Sequence, residues 1–360
     1  TGHNSGVIHS GIYYQPGSFK ARFAKAGSRS ITEFCERHGL PFEVCGKVIV
    51  ATAPEELPLL DKLYARGLEN GLAVSRLSAE EVLEHEPHVR ALAGLYVPST
   101  GITDYARITA KLAELVAARG GELFLGSRVT GVLHRSESVV LKTSRGDFET
   151  GFLVNCAGLH SDRLARLEGA DPGARIVPFR GEYYELVPEK RHLVRGLIYP
   201  VPNPDFPFLG VHFTRMIDGS VHAGPNAVLS LKREGYAKRD LDLRDLREVL
   251  GYGGFWKLAL KNVGEGAKEV VRSFSKAAFV RSLQALIPEV QAEDVRPTHA
   301  GVRAQALRPD GGMVDDFLIV EGRRALHVCN APSPAATSSL EIGAHVASSL
   351  PSLAPSPVRA

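Results

Sequence analysis

A chain of 360 residues, 44% hydrophobic and 23% charged, is long for one core and suits two domains or one large α/β unit carrying insertions. Its net charge of +3 is too small and too evenly spread to argue for nucleic acid, and better fits a small anionic ligand held by a few arginines. No stretch matches the roughly eighteen apolar residues of a membrane span or a signal peptide, and Cys35, Cys45, Cys156 and Cys329 lack metal-ligand spacing, so free thiols and no metal site are expected.

Residues 1–14, T-G-H-N-S-G-V-I-H-S-G-I-Y-Y, are too glycine-rich and polar for a helix, yet carry His3, Asn4, Ser5, His9, Tyr13 and Tyr14. Glycines let backbone approach a ligand closely, so this stretch reads as part of a site. Helical periodicity then predicts a helix over 16–38 stopped by Gly39, a strand over 42–52 and a second helix over 54–70. Ser78 and Glu81 form a capping-box pattern for a short helix, and 104–119 is strongly amphipathic. Short strands are expected at 122–125, 129–134, 139–143 and 152–155. Residues 176–226 read as a mostly antiparallel sheet, 241–287 as broken helices, and 317–320 and 325–329 as strands before a helix from about 336 to 349.

Two places repeat one layout, an apolar strand running into a small-residue loop and then a helix: V-N-C-A-G-L-H-S-D at 154–162 and C-N-A-P-S-P-A-A-T at 329–337. Strand ends of this kind form the ligand crevice of an open α/β sheet, and two of them point to one extended ligand across neighbouring strands. Between them, His299-Ala-Gly-Val-Arg303-Ala-Gln305 offers an arginine whose planar fork suits a carboxylate.

Together with P-F-R-G-E-Y-Y, I-Y-P-V-P, F-L-G-V-H-F-T-R, G-P-N-A-V and K-R-E-G-Y, these motifs resemble the FAD-dependent L-2-hydroxyglutarate dehydrogenases or oxidases of the D-amino-acid oxidase and glycine oxidase superfamily. The resemblance runs from residue 1 to about 349. It implies an α/β, glutathione-reductase-like (Rossmann-type) FAD-binding domain, discontinuous over 1–48, 101–168 and 297–350. An α+β substrate domain on a mostly antiparallel sheet would be inserted at 49–100 and 169–296, with a tail at 351–360. One departure stands out: the G-x-G-x-x-G turn that holds the FAD pyrophosphate does not occur, and the sequence opens about where that βαβ unit would end.

The reaction the resemblance implies is oxidation of L-2-hydroxyglutarate to 2-oxoglutarate, with hydride passing from C2 to flavin N5. His9 is the first choice of base, expected to titrate near neutrality, and His212 the second. Arg303 resembles the carboxylate-binding arginine of the superfamily. Arg180, Arg215 and Lys232 are candidates for the distal carboxylate, and Tyr14 and Tyr183 for hydrogen-bond donors. For FAD, the carried-over contacts are His3, Asn4, Ser5, Val129, Ala157, Gly158, Ser333, Ala335, Ala336 and Thr337. Cys45 and Cys329 read as core thiols. Rival readings are an amine oxidase acting on glycine, sarcosine or a D-amino acid, and a non-catalytic chain without flavin. Oxygen, a quinone or another carrier would take the electrons. A cytoplasmic protein with a peripheral membrane contact is expected.

Overall fold

The computed structural model describes residues 2–202 and 210–351. Pro204, Pro207 and the start of F-L-G-V-H lie outside them, as does the tail beyond 351. The helix expected from residue 16 is Phe19–His38. Ser18 Oγ accepts the Ala21 N–H at 3.1 Å, and Gly39 ends the helix at φ 62°. Asp316 accepts the Phe19 and Lys20 N–H groups at 2.8 and 2.9 Å, so a carboxylate from near the end of the chain holds the first long helix. The capping box forms as read: Glu81 N–H donates to Ser78 Oγ and Ser78 N–H to Glu81.

The strand expected over 42–52 is two strands, Phe42–Glu43 and Val48–Ala51, in different sheets. Gly46 separates them at φ 75°, and a Cβ there would meet the Tyr96 hydroxyl at 2.3 Å and its ring at 2.6 Å, so the break requires glycine. No strand forms at 122–125. Leu123, Phe124 and Leu125 are largely exposed; the segment meets its neighbour through side chains, Phe124 against Phe148 and Arg145 on Leu125 O, without forming a backbone ladder. Instead Gly146–Thr150 completes a three-stranded meander with Val129–His134 and Val139–Thr143.

Nine strands form the principal sheet, and its spine is the antiparallel pair Arg175–Leu186 and Val295–Leu307. Val48–Ala51 enters parallel to Leu197–Pro200, the exception to the expected antiparallel order. Its alternation divides the core. Val48 and Val50 face Phe279, Val280 and Leu283, whereas Ile49 and Ala51 face Leu60, Leu63 and Tyr199. Each large side chain so buried contributes about 1.5–3 kcal/mol. This sheet runs through residues 48/49 and 296/297, where the domain divisions were expected.

A second sheet positions the strand-end loops. Leu153–Asn155 pairs in parallel with Ala325–Asn330, Asn155 opposite His327, so both small-residue loops leave from one end. Behind them, buried His327 lies 3.2 Å from Glu168 Oε2 and 3.0 Å from Asn155 Nδ2.

The helices Gly253–Lys261 and Val263–Phe274 are unusual. The second buries Glu269 and Ser273 and turns Val263, Val270, Val271 and Phe274 outward, with Trp256 and Leu260 also exposed on the first.

Candidate active site

The opening stretch is held where the two sheets meet. Thr337 Oγ1 accepts the His9 N–H at 3.1 Å and donates to Val7 O at 3.3 Å, and Tyr105 OH lies 2.9 Å from the same Oγ1. Thr337 is fully buried, so this joint between the start and end of the chain excludes water. Further along, His3 Nδ1–H donates to Ala300 O at 2.8 Å, and the His3 ring stacks on Tyr236 at 3.9 Å. A Cβ at Gly301 would stand 2.9 Å from His3 O, so the glycine of A-G-V-R permits this close crossing. Asn4 Oδ1 accepts the Gly6 N–H at 2.9 Å and thereby shapes the turn.

This path brings His9, His212, Arg303, Tyr14 and Tyr183 together. His9 lies with Nε2 3.5 Å from Ser333 Oγ, while Nδ1 is closed off from solvent and has no hydrogen-bond partner among the described residues. Burial, then the charges of Lys47, His212 and Arg303, pushes the His9 pKa down to about 3. His212 is buried and stacked on Tyr199 at 3.9 Å, with Nδ1 3.0 Å from Gly210 O. Burial likewise pushes it down to about 3, assisted by Arg303 and Lys47 against the Gly210 carbonyl. The expectation of a histidine titrating near neutrality is not supported: burial pulls both rings below it, although His9 is only half-buried and its Nε2 lies in an exposed contact with Ser333. Burial keeps the phenols of Tyr14 and Tyr183 protonated; the Arg303 charge opposes it at both, and Tyr14 also hydrogen-bonds Ser333.

The candidates for the second carboxylate go elsewhere. Arg180 is opposite Val302 in register and Arg303 opposite Phe179, so the two arginines leave opposite faces of the sheet. Arg180 binds Glu182 Oε1 at 3.0 Å and Ala237 O at 3.0 Å. Arg215 is three residues from His212 on one strand and leaves its other face; it pairs with Glu43 and donates to Arg195 O at 2.7 Å. Lys232 enters none of the cluster's contacts given above. Its neighbour Arg233 instead binds the buried Asp162, with Nη2 3.1 Å from Oδ2, and donates to Leu159 O at 2.6 Å.

Lys47 was not among the residues singled out from the sequence. It stands directly before Val48–Ala51 and is buried, with Nζ 3.4 Å from Tyr13 OH and over the Tyr13 and Tyr199 rings at 4.4 and 4.7 Å. A lysine heading an apolar strand, K-V-I-V-A, was the available signal, since such a residue is drawn inward by its neighbours.

For the cofactor, Ala157 and Gly158 form the exposed turn after Leu153–Asn155, with Gly158 at φ 53° and Ala157 N–H donating to Asn155 Oδ1 at 3.1 Å. Ser333, Ala335 and Ala336 line the loop leaving the adjacent strand, whose helix starts at Ser339 and not 336. Ser5 is half-buried beside Asn4; Val129 opens the separate meander opposite Thr143. Small residues at two neighbouring strand ends, joined to an opening stretch with an orphaned buried imidazole nitrogen, fit a flat, elongated group such as FAD.

Comparison with known proteins agrees. Residues 1–349 match the family described as FAD dependent oxidoreductase. The chain is 47% identical to an L-2-hydroxyglutarate dehydrogenase of Escherichia coli K12 over 98% of its length and 84% of that protein's. It belongs to the FAD-dependent oxidoreductase family, among the L-2-hydroxyglutarate dehydrogenases. The Indibacter alkaliphilus enzyme of that name is 50% identical over 96% of this chain and 87% of its own length, and the human mitochondrial one 44% over 96% and 79%. The fold resembles the dithionite-reduced, FAD-bound L-α-glycerophosphate oxidase of Mycoplasma pneumoniae, with TM-score 0.77, 20% identity and coverage of 96% and 83%. It also resembles glycine oxidase of Geobacillus kaustophilus, with TM-score 0.71, 18% identity and coverage of 96% and 84%. This member of the family is thus an FAD-dependent hydroxy-acid dehydrogenase built on the mixed α/β fold of that superfamily.

Proposed function

We propose that the chain oxidises L-2-hydroxyglutarate to 2-oxoglutarate at the cluster of His9, His212 and Arg303. The observation that carries this is a half-buried imidazole with one nitrogen closed off from solvent and within electrostatic reach of a guanidinium, one group for a proton and one for a carboxylate. Forming the 2-oxo acid removes a hydride from C2 and a proton from the hydroxyl oxygen. FAD, when bound, supplies the acceptor for that hydride. Arg303 binds the C1 carboxylate, His9 takes the hydroxyl proton, and Tyr14 and Tyr183, held protonated, donate hydrogen bonds to the substrate. Residues 1–48, 101–168 and 297–350 form the cofactor side, and 49–100 and 169–296 the substrate side. His3, Asn4, Ser5, Val129, Ala157, Gly158, Ser333, Ala335 and Ala336 are the cofactor contacts, whereas Thr337, fully buried without any ligand, holds the opening stretch behind them.

The test is an anaerobic absorbance spectrum of the chain with FAD. Bleaching of the flavin band by L-2-hydroxyglutarate, and not by its D-isomer, glycine or sarcosine, is expected. Bleaching by the amines instead would replace this reading with an amine oxidase. Arg303→Ala should lower kcat/KM by roughly 2–4 kcal/mol of transition-state binding, the usual loss for a desolvated charged contact. Unchanged steady-state kinetics would remove Arg303 from the site.

No helix among the described residues is long and apolar enough to cross a membrane. The outward apolar face of Gly253–Lys261 and Val263–Phe274 suits a peripheral contact, because Lys257 and Lys261 accompany it in sequence, while Lys268 is paired with Glu265. A second copy would set lysines against lysines, whereas anionic lipid neutralises them. The chain is expected to float with vesicles containing phosphatidylserine, and Leu260→Glu with Phe274→Glu to abolish flotation. Equal flotation of both proteins would refute the contact.

A further inference from the structure

Resting on the hydroxy-acid reading above, we infer that the buried ammonium of Lys47 is the anion subsite for the distal carboxylate of the substrate, and so sets the preference for a dicarboxylate. Lys47 is only 2% exposed, and no carboxylate among the described residues forms an ion pair with it. Its contacts are the Tyr13 hydroxyl at 3.4 Å and the faces of two tyrosine rings. Ring contacts return up to about 2 kcal/mol to a desolvated cation, whereas burying an unpaired charge costs several. A cation left in that deficit is retained where an incoming anion completes it.

The position is built with care. Lys47 and Val97 exchange backbone hydrogen bonds at 3.1 and 2.9 Å, and Gly46 turns the chain against Tyr96 just before it. The Lys47 charge acts on both His9 and His212, as does that of Arg303. Two cations thus act on the same pair of imidazoles, and a substrate with a carboxylate at each end offers one anion for each of them. Burial also pushes Lys47 down to about 7, so a bound anion should draw a proton onto it.

The experiment compares wild type with Lys47→Met and Lys47→Arg, each as the full chain with FAD. The substrates are L-2-hydroxyglutarate and L-2-hydroxyvalerate, which has a methyl group in place of the distal carboxylate. Lys47→Met is expected to lose roughly 100-fold in kcat/KM for the dicarboxylate and less than about threefold for the monocarboxylate, with Lys47→Arg retaining part of the preference. Glutarate binding, followed calorimetrically at pH 8 in buffers of different ionisation enthalpy, should take up a proton in wild type and none in Lys47→Met. Thermal stability of unliganded Lys47→Met should be unchanged or raised, since an apolar side chain of similar size replaces a buried charge. An unaltered dicarboxylate preference, or equal losses on both substrates, would overturn the subsite. Failure of wild type to oxidise either substrate would instead overturn the functional reading on which it rests.

Discussion

His9→Ala is expected to slow anaerobic flavin reduction by L-2-hydroxyglutarate by about 10²–10⁴-fold, the usual contribution of a positioned general base. His9 holds its place through a backbone bond to Thr337, which the substitution keeps, so FAD affinity should change little. The pH dependence gives a sharper result. With the free-protein pKa pushed down to about 3 by burial and the surrounding cations, His9 stays neutral and competent between pH 5 and 8. Its protonation would lower kcat/KM only as pH falls towards 3. A break near pH 7 would belong to Lys47, which burial places there. Measuring kcat/KM against pH in wild type and Lys47→Met separates the two, and a break near 6.5 that survives Lys47→Met would show that His9 titrates normally.

Arg233→Ala should cost about 3–5 kcal/mol of folding stability, the largest structural effect expected of a single charge in this chain. Arg233 is 3% exposed and lies across Asp162, which is 1% exposed at the start of the helix Ser161–Glu168. Removing it leaves Asp162 with Arg166 at 3.1 Å and the Ile176 N–H at 3.1 Å, too little to support a buried carboxylate fully. Burial alone would raise the pKa of Asp162, yet Arg233 holds it below the ordinary value. That contribution is present above the ordinary carboxylate pKa and is lost as pH falls through the lowered folded value. In Arg233→Ala the folded value rises, so acid unfolding should begin at higher pH. Urea unfolding at pH 7 and at pH 5 reads both effects, and an unchanged midpoint at both would show the pair to be dispensable. Because Arg233 also holds Leu159 O, the turn at Ala157 and Gly158 should loosen and weaken FAD retention.

Much of this was legible in the order of residues because it depends on local rules. Ser18 and Gly39 bound a helix whose apolar period is plain, and Ser78 with Glu81 close their capping box without tertiary help. The two strand-loop-helix layouts form side by side, with both loops leaving one end of the same sheet, and H-N-S-G-V-I-H with A-G-V-R offered an imidazole and a guanidinium that come within electrostatic reach of each other. The strand misread at 122–125 is the opposite case: Leu123 and Phe124 are apolar enough for a strand, but a strand exists only where backbone groups pair, and here the neighbouring hairpin is met by side chains.

Which arginine lies near the imidazoles was a different kind of question. Arg180, Arg215 and Arg303 are chemically alike in the sequence; strand register sends the first two to Glu182 and Glu43 and leaves Arg303 facing the imidazoles. Lys47 and His9 are thirty-eight positions apart and became neighbours through the sheet that folds between them. Motifs and local periods are properties of the chain: the motifs carried the resemblance to the family and through it the cofactor class, and the residue types set the possible site groups. Face, burial and the lowering of the pKa of His9, His212 and Lys47 arise from distant segments excluding water together, and only the folded arrangement could assign them.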